Sequence, residues 1–263
     1  MANATPRRGI DAEGRVVKAA DSVTWRSLEI LGAFDERHTH LSLSELSRRA
    51  ALPIATAHRL SAELVRWGAL ERSGSDFVIG QRLWQIATLA PVQKDIAEIA
   101  APHMQDVLFV TQNVVNLFIL DGSSVLLLDR ISGTRAGAPF RRPGSHLGLH
   151  ASAAGKVMLA YEGMELLPRI GKLEAFTRHT ITDRSRLAEE VKAVRQQGFG
   201  VSNQESGEDN FGLAVPVILP SGKIAAAIGV VSQKNPPPVG TVVPVLRIAA
   251  RGIARSLVSR ELA

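Results

Sequence analysis

Arginine side chains concentrate in one short stretch of the chain where acidic residues are few. Between residues 46 and 72 two acids accompany five arginines, which are Arg48, Arg49, Arg59, Arg66 and Arg72. A guanidinium group pairs with phosphate and also binds the O6 and N7 atoms of guanine in a bidentate way. The stretch therefore predicts a contact surface for DNA. That surface would depend on a few placed arginines, because residues 1–85 hold twelve Lys and Arg against ten Asp and Glu.

The hydrophobic pattern around these arginines predicts two short helices joined by a tight turn. Leu43, Leu46 and Ala50 recur at helical spacing, and we expect Ser44 to cap this first helix. Pro53 breaks the pattern and suits the start of a second helix. The apolar stripe of that second helix comprises Ala57, Leu60, Leu64 and Trp67, and Gly68 would end it.

Two short strands are predicted to follow the second helix. Residues 70–72 and 77–79 flank the turn sequence Ser73-Gly74-Ser75-Asp76. This order is the layout of a winged helix-turn-helix, which places the start of its second helix in the major groove of DNA. We therefore predict DNA contacts from Ser44, Arg48, Pro53, Ile54, Ala55, Thr56, His58, Arg59 and Arg72. The alternative interpretation is an ordinary helical hairpin inside another kind of domain.

Small residues crowd the start of a further predicted helix in the second half of the chain. Residues 151–155 are Ala-Ser-Ala-Ala-Gly, and Ser152 is suited to cap the helix that follows. The unpaired N–H groups and the dipole of a helix N-terminus favour an anion such as a carboxylate. This stretch predicts a ligand pocket. The alternative is that the small residues only allow the helix to pack closely on a sheet.

Patterns typical of catalysis or metal binding are missing from the sequence. The glycines at 148 and 155 are too far apart for a phosphate-binding loop, and Val157 stands where a Ser or Thr would hold magnesium. His38 and His40 have no third ligand nearby. Three loop acids are expected to be solvated, namely Glu205, Glu208 and Asp209. We therefore expect no enzymatic activity, no metal and no cofactor.

Helices and strands are mixed along the remainder of the chain. Helices are predicted over residues 81–89, 92–110, 152–161 and 183–197, and a closing helix over 242–262 is expected to begin only past Pro244. Strands are predicted over residues 114–120, 125–131, 213–219 and 223–231. This mixture indicates an α+β domain built on an antiparallel sheet.

Length and composition agree with a folded protein of one large or two modest domains. The 263 residues are 45% hydrophobic and 21% charged, and the net charge is +6. No apolar run reaches the roughly 18 residues that cross a bilayer, and the N-terminus lacks the apolar core of a signal peptide. We therefore expect a cytoplasmic protein without a membrane partner. The absence of cysteine excludes disulfides, thiol catalysis and cysteine-ligated zinc.

Several segments carry a family signature in a consistent order from about Asp21 to the C-terminus. The first part contains DSVTWRSLEILGAF, LSLSELSRRAALPIATAHRLSAELVRWGALER and FVIGQRL. The second part contains GSHLGLHASAAGKVMLA, TRHTITDRSRLAEEVKAVRQQGFGVSNQESGEDNFGLAVPV and GKIAAAIGVVS. With these segments the chain resembles the IclR family of bacterial transcriptional regulators.

The resemblance implies an effector-responsive regulator with an α+β fold. Residues 1–20 would be a flexible arm, 21–80 a winged helix-turn-helix domain and 81–90 a linker helix. Residues 91–263 would form a GAF-like effector-binding and oligomerisation domain with an antiparallel sheet. The implied partners are a double-stranded DNA operator, a small-molecule effector and further copies of the chain, as a homodimer or a dimer of dimers. The implied effector-binding residues are Leu147, Ala153, Ala154, Ser202, Asn203, Gly212, Gly229 and Val231.

Two departures from the family pattern bear on what this chain would bind. Gly229 and Val231 stand where the family often has serines, and Gly212 removes side-chain bulk. We therefore expect a roomier, less polar pocket and an effector larger than a two- or three-carbon acid, such as a small organic acid or aromatic metabolite. Ile54 and Ala55 replace polar residues, which favours apolar contacts and DNA shape in operator recognition.

Two other hypotheses stay open at the level of the sequence. One is an enzyme with an appended DNA-binding module, and the other is a constitutive DNA-binding protein with a vestigial sensor domain.

Overall fold

The described residues form two compact units that divide between residue 90 and Pro91. The computed structural model describes residues 22–35, 38–89, 91–133, 141–233 and 235–261. The predicted N-terminal arm, residues 1–20, lies outside this part of the chain. No helix among the described residues is long and apolar enough to cross a membrane.

The first unit is a three-helix core followed by a two-stranded wing. Its elements are α1 (Val23–Gly32), α2 (Leu43–Arg49), α3 (Ile54–Trp67), β1 (Leu70–Ser73), β2 (Asp76–Ile79) and α4 (Gln81–Ala87). Its core consists of buried apolar side chains from the helices and the wing, which include Ile30, Leu41, Leu46, Leu60, Leu70 and Phe77. The predicted helix, turn, helix and hairpin are thereby confirmed.

Local signals define the ends of these helices. Ser42, and not the predicted Ser44, is the N-cap of α2. Its hydroxyl accepts from the Glu45 N–H, and the Glu45 carboxylate accepts from the Ser42 N–H at 2.9 Å, which completes a capping box. The expectation for Ser44 was wrong because α2 begins at Leu43, two residues before the Glu45 start that a Ser44 cap would require. As predicted, α3 ends at Gly68, whose φ of 87° is a left-handed conformation that favours glycine.

The second unit is a six-stranded antiparallel sheet with helices on both faces. Its helices are α5 (Pro91–Thr111), α6 (Ala153–Glu162), α7 (Arg184–Gln197) and α8 (Val239–Glu261), with a 3-10 helix at Met164–Arg169. Its strands are β3 (Val114–Asp121), β4 (Ser124–Ser132), β5 (His146–Gly148), β6 (Gly200–Asn203), β7 (Asn210–Ile218) and β8 (Ile224–Gln233). The strand order β5-β4-β3-β8-β7-β6 is antiparallel throughout.

Alternation along the strands divides the core of this unit into two layers. Val115, Leu117 and Ile228 point to the layer covered by α5 and α8. Phe118 and Ala227 point to the layer covered by α6 and α7. The sequence prediction of an α+β domain with an antiparallel sheet is therefore confirmed.

The closing helix differs from its prediction. It begins at Val239, so Pro244 lies inside it and not ahead of it. A proline inside a helix loses one backbone hydrogen bond. The neighbouring residues Val242, Val243 and Leu246 are buried in the sheet core. This packing stabilises the helical turns before and after the proline.

Candidate functional site

The N-terminal half of α3 presents exposed apolar and basic side chains next to the turn of the first unit. Ile54, Ala55, His58 and Arg59 are exposed, and Thr56 is half-buried. The buried side of the same helix carries Ala57, Leu60 and Ser61. The structure thus leaves the predicted base-reading face free for contact, which is the arrangement that a recognition helix requires.

Arg59 is held only by a weak surface pair. Its Nη1 lies 3.0 Å from Glu63 Oε1 one turn along the helix, and both side chains are about half exposed. Such a pair contributes about 0.3–0.5 kcal/mol. The Arg59 guanidinium is therefore able to exchange Glu63 for a phosphate or a guanine at small cost.

The remaining predicted DNA contacts lie around α3. Ser44 and Arg48 are exposed on α2, and Pro53 immediately precedes α3. Arg72 in the wing is exposed, and its guanidinium lies 4.2 Å from the centre of the Phe77 ring, which fixes its direction. Arg49 has a different role: its Nε donates to Ala33 O at 2.6 Å and its Nη2 pairs with Asp35, so it ties α2 to the end of α1.

Helix α4 is attached to the end of α3 and buries none of its side chains in this chain. The Arg82 guanidinium donates to Trp67 O at 3.0 Å and lies 4.3 Å from the centre of the Trp67 ring. Trp84, Ile86 and Leu89 are exposed, with 67%, 47% and 77% of their surface accessible. An exposed apolar surface of this kind is typical of a contact with another molecule.

A cavity of about 50 Å³ lies in the second unit between the sheet and the start of α6. Seven of the eight predicted effector-binding residues line it: Leu147, Ala153, Ala154, Ser202, Gly212, Gly229 and Val231. Asn203 does not, because it faces a separate open cleft beside Phe211 and Pro236. Position 203 alternates with Ser202 on β6, which explains why the two side chains face different spaces.

Hydrogen-bond donors are available at the α6 end of this cavity. The Ser152 hydroxyl accepts from Gly155 N–H and donates to Gly148 O, both at 3.0 Å. The Ser202 hydroxyl donates to Ala151 O at 3.0 Å. The N–H groups of Ala153 and Ala154, the first two residues of α6, have no acceptor in the described structure. Because both residues line the cavity, these two N–H groups, and not the serine hydroxyls, are the uncommitted donors of the α6 end.

The two glycines in the cavity wall exist for different reasons. A Cβ at Gly229 would lie 2.5 Å from the Leu213 carbonyl oxygen, so the neighbouring strand excludes any side chain. A Cβ at Gly212 would make ordinary contacts of 3.5 Å with Ala153 and 3.7 Å with Ser202. Only Gly212 is therefore free to carry a side chain, and Gly229 reflects packing of the sheet.

Polar residues that the sequence prediction missed also line the cavity, and three of them carry an amide or a guanidinium group on the sheet side or beside it. They are Asn116 on β3, Arg130 on β4 and Arg141. Asn116 is buried, and its Oδ1 has no hydrogen-bond partner. Burial lowers the pKa of the Arg130 guanidinium below its ordinary value. One feature of the sequence could have revealed this polar part of the cavity: Asn116 is a polar residue in the middle of the apolar strand VVNLFIL.

A buried ion pair fixes the loop beside the cavity. Lys156 Nζ, on a side chain that is 1% exposed, lies 2.8 Å from Glu205 Oε1 and 3.2 Å from Glu190 Oε1. It also donates to Val201 O at 3.0 Å. The expectation that Glu205 is solvated was wrong, because Lys156 one turn into α6 draws its carboxylate into the core. The neighbouring Ser206 thereby reaches the cavity wall.

Metal ligands are not clustered in the described part of the chain, where no group of three His, Asp or Glu side chains could hold an ion. His38 Nδ1 instead lies 2.7 Å from Asp35 Oδ1.

Comparison with known proteins agrees with both units. Residues 24–74 match the model of the IclR helix-turn-helix domain, and residues 89–253 match the model described as bacterial transcriptional regulator IclR C-terminal. The chain is 31% identical to the probable transcriptional regulator SauR of Cupriavidus necator, over 81% of this chain and 85% of that protein. It is 28% identical to the transcriptional repressor IclR of Escherichia coli, over 68% of each chain.

A solved structure is similar over almost the whole chain. It is the crystal structure of an IclR homologue from Microbacterium hydrocarbonoxydans complexed with 4-hydroxybenzoate. The TM-score is 0.82 and the identity 30%, with 90% of this chain and 100% of that chain covered. The helix-turn-helix match covers the unit that contains α3, and the C-terminal match covers the domain that contains the cavity. The chain therefore belongs to the IclR family of bacterial transcriptional regulators, and it is a DNA-binding regulator with an effector-binding domain, not an enzyme.

Proposed function

We propose that this regulator changes its affinity for DNA when an organic acid binds in the cavity at the start of α6. The observation that carries the proposal is the pair of unsatisfied N–H groups of Ala153 and Ala154 at the cavity wall. A helix N-terminus with free N–H groups binds a negatively charged or other electron-rich oxygen, so it offers one hydrogen-bonding end for an oxygen-bearing acid. In this proposal residues 91–263 sense the acid and help to assemble the oligomer, residues 21–80 bind DNA, and residues 81–90 link the two and contribute to the contact between copies.

The DNA contacts in this proposal come from the surface around α3. Arg59, Thr56 and His58 would face base edges, with Ile54 and Ala55 packing on thymine methyl groups. Arg48, Arg72 and Ser44 would contact phosphates, and Pro53 would set the start of the helix. Only a few basic side chains contribute. The protein should therefore recognise its operator by the shape of the DNA as well as by contacts to the bases.

The acid that we propose is compact and aromatic. The similar Microbacterium hydrocarbonoxydans protein was solved with 4-hydroxybenzoate, which supports an acid of this class. Leu147, Ala153, Ala154, Gly212, Gly229 and Val231 supply an apolar wall for a ring, and Ser202 lies at its edge. The cavity of about 50 Å³ is well below the roughly 300–1,000 Å³ of sites for drug-sized ligands, so its walls would have to move apart even for a single ring, and much further for a long acyl group.

A homodimer is the assembly that suits this function, because two recognition helices read two half-sites of an operator. The unpartnered apolar residues Trp84, Ile86 and Leu89 support a dimer contact through α4. The acid would act by binding one arrangement of the dimer more tightly than another, which shifts the population that fits DNA.

The proposal is tested by selecting tight-binding duplexes from random DNA with the full chain. The affinity of the selected duplex is then measured by fluorescence anisotropy with and without benzoate, 4-hydroxybenzoate and terephthalate. We expect at least one of these acids to change the Kd for DNA by about fivefold or more. An unchanged Kd with all three would instead favour a constitutive DNA-binding protein whose sensor domain is vestigial.

A further inference from the structure

A row of residues crosses the sheet on the side that faces α6. Arg130 on β4 is paired with Asn116 on β3, and Asn116 is paired with Gly229 on β8. Because cross-strand partners point to the same face, the Arg130 and Asn116 side chains both lie over the cavity, and both line it. Gly229 leaves the floor of the cavity between them and the start of α6 without a side chain.

The Arg130 guanidinium is a half-buried cation without a counter-charge. No carboxylate in the described chain lies within ion-pair distance of it. Asp129, its neighbour in sequence, accepts a hydrogen bond from the Arg130 backbone N–H at 2.7 Å. No acid is among the residues that line the cavity in the described structure. This end of the cavity is therefore positively charged.

Asn116 adds a second unsatisfied group to the same place. Only 4% of its surface is exposed, and its Oδ1 has no partner. A buried polar group without a partner and a buried charge without a counterion both destabilise the empty protein. A carboxylate in the cavity would supply the missing counter-charge of Arg130. The Asn116 side chain makes no hydrogen bond in the described structure, so its Nδ2 is free to donate to the same carboxylate, and the position of both groups in a cavity wall indicates a ligand-binding role.

The opposite end of the cavity offers hydrogen bonds as well. Gly212 on β7 lies beside the first residue of α6, since a Cβ at Gly212 would be 3.5 Å from the Ala153 Cβ, and the N–H groups of Ala153 and Ala154 have no acceptor in the described structure. β7 and β4 are separated by three strand spacings in the sheet order, which is roughly 14 Å. The Arg130 side chain spans part of that distance, and a single ring with groups at opposite positions would span the remainder.

We propose that Arg130 and Asn116 form the carboxylate-binding pair of this cavity, and that the effector carries a second oxygen-bearing group at its other end. The guanidinium binds the carboxylate, Asn116 Nδ2 donates a hydrogen bond to the same carboxylate, and the N–H groups of Ala153 and Ala154 donate to the second group. This assignment rests on the proposed function in taking the cavity as the effector site. It adds which residues bind the carboxylate and what else the ligand must contain.

The first test is calorimetric titration of the full chain with three matched probes. 4-Hydroxybenzoate has both groups, benzoate lacks the second group, and 4-hydroxybenzyl alcohol lacks the carboxylate. We expect 4-hydroxybenzoate to bind about tenfold or more tightly than either of the others. Failure of the wild-type chain to bind 4-hydroxybenzoate, or equal affinity for all three probes, would overturn the proposal.

The second test separates a binding role from a structural one. Arg130→Met should weaken 4-hydroxybenzoate binding by about tenfold or more and leave binding of the alcohol unchanged. Asn116→Leu should also weaken the binding of 4-hydroxybenzoate. Without ligand, both variants should melt at or above the wild-type temperature, because each removes an unsatisfied group. Arg142→Met is the matched control, since Arg142 is exposed nearby and lines no part of the cavity.

A lower melting temperature with an unchanged preference for acid over alcohol would show a structural role and contradict the assignment. The proposed function fails by a different result. If Arg130→Met loses acid binding while the acid never changes the Kd for selected DNA in the wild type, the carboxylate site stands and the regulatory role does not.

Discussion

Arg59 is the residue whose removal should most weaken DNA binding. Its guanidinium is exposed in the second turn of α3. To bind DNA it has to break only a weak ion pair with Glu63. Arg59→Ala should weaken binding to the selected duplex by about 1–3 kcal/mol. Gel-shift titration measures this loss, and Arg66→Ala, an equal change of charge in the last turn of α3, should cost less. Equal losses for the two variants would remove Arg59 from base recognition.

The two cavity glycines give a prediction about stability. Gly229→Ala should lower the melting temperature sharply, because its Cβ would lie 2.5 Å from the Leu213 carbonyl oxygen. Gly212→Ala should be neutral or stabilising by about 0.4–1 kcal/mol, because it meets only ordinary contacts and reduces the entropy of the unfolded chain. Thermal unfolding of both variants and of the wild type gives the melting temperatures that test these two predictions. Similar melting temperatures would mean that β7 and β8 are spaced differently at this point.

The sequence located the α6 side of the cavity wall and parts of four strands, but not the charged residue Arg130. The family resemblance identified seven residues of the wall, and it interpreted Gly229 as a sign of extra room. Arg130 was missed for a physical reason. The β3–β4 register shifts between Leu117 and Phe118, so Leu127 and Arg130, three positions apart, share a face. Simple alternation from Leu127 would have placed Asp129 in the cavity, and a single strand gives no sign of such a bulge.

The N-terminus of α2 shows how one element is fixed by a local hydrogen-bond pattern. Hydrogen bonds from the Ser42 side chain and backbone lower the pKa of the Glu45 carboxyl. The contribution of the capping box is therefore complete above the pKa of Glu45 in the unfolded chain, and it is lost as pH falls through the lowered pKa of the folded state.

Ser42→Ala should lower the free energy of unfolding by about 1 kcal/mol at neutral pH, because it removes the cap of α2. Urea unfolding of this variant and of Ser44→Ala provides the comparison. Ser44 is exposed and lies inside the helix, so its replacement should leave the free energy of unfolding almost unchanged. A larger effect at Ser44 would contradict the assignment of the cap.

The elements that the sequence pattern did not predict are short or depend on their neighbours. β5 has three residues and β6 has four, too few for a period to be visible. β6 instead exists because it pairs with β7, and Ser202 on it bonds back to Ala151. The long helices and central strands were predicted within a few residues, because each buries one regular apolar face.

At the scale of the whole molecule, the exposed apolar side of α4 should mediate assembly. Trp84→Lys should weaken self-association by about tenfold, because it replaces a large apolar contact with a charge. Sedimentation velocity over a range of concentrations measures this change. Gln85→Lys, the neighbouring exposed position, should associate as the wild type does. If Trp84→Lys also matches the wild type, the contact between copies lies elsewhere.

The central claim is that occupation of the cavity controls DNA binding, and Gly212→Leu tests it most directly. A leucine at this position extends into the cavity from a backbone that accepts a side chain, so it should exclude the ligand without unfolding the domain. The decisive measurement is the Kd for the selected duplex with and without 4-hydroxybenzoate, for the wild type and for this variant. The account predicts a Kd that shifts about fivefold or more in the wild type and stays constant in Gly212→Leu, with equal DNA affinity in the absence of acid. An equal shift at the same acid concentration in both proteins would contradict it.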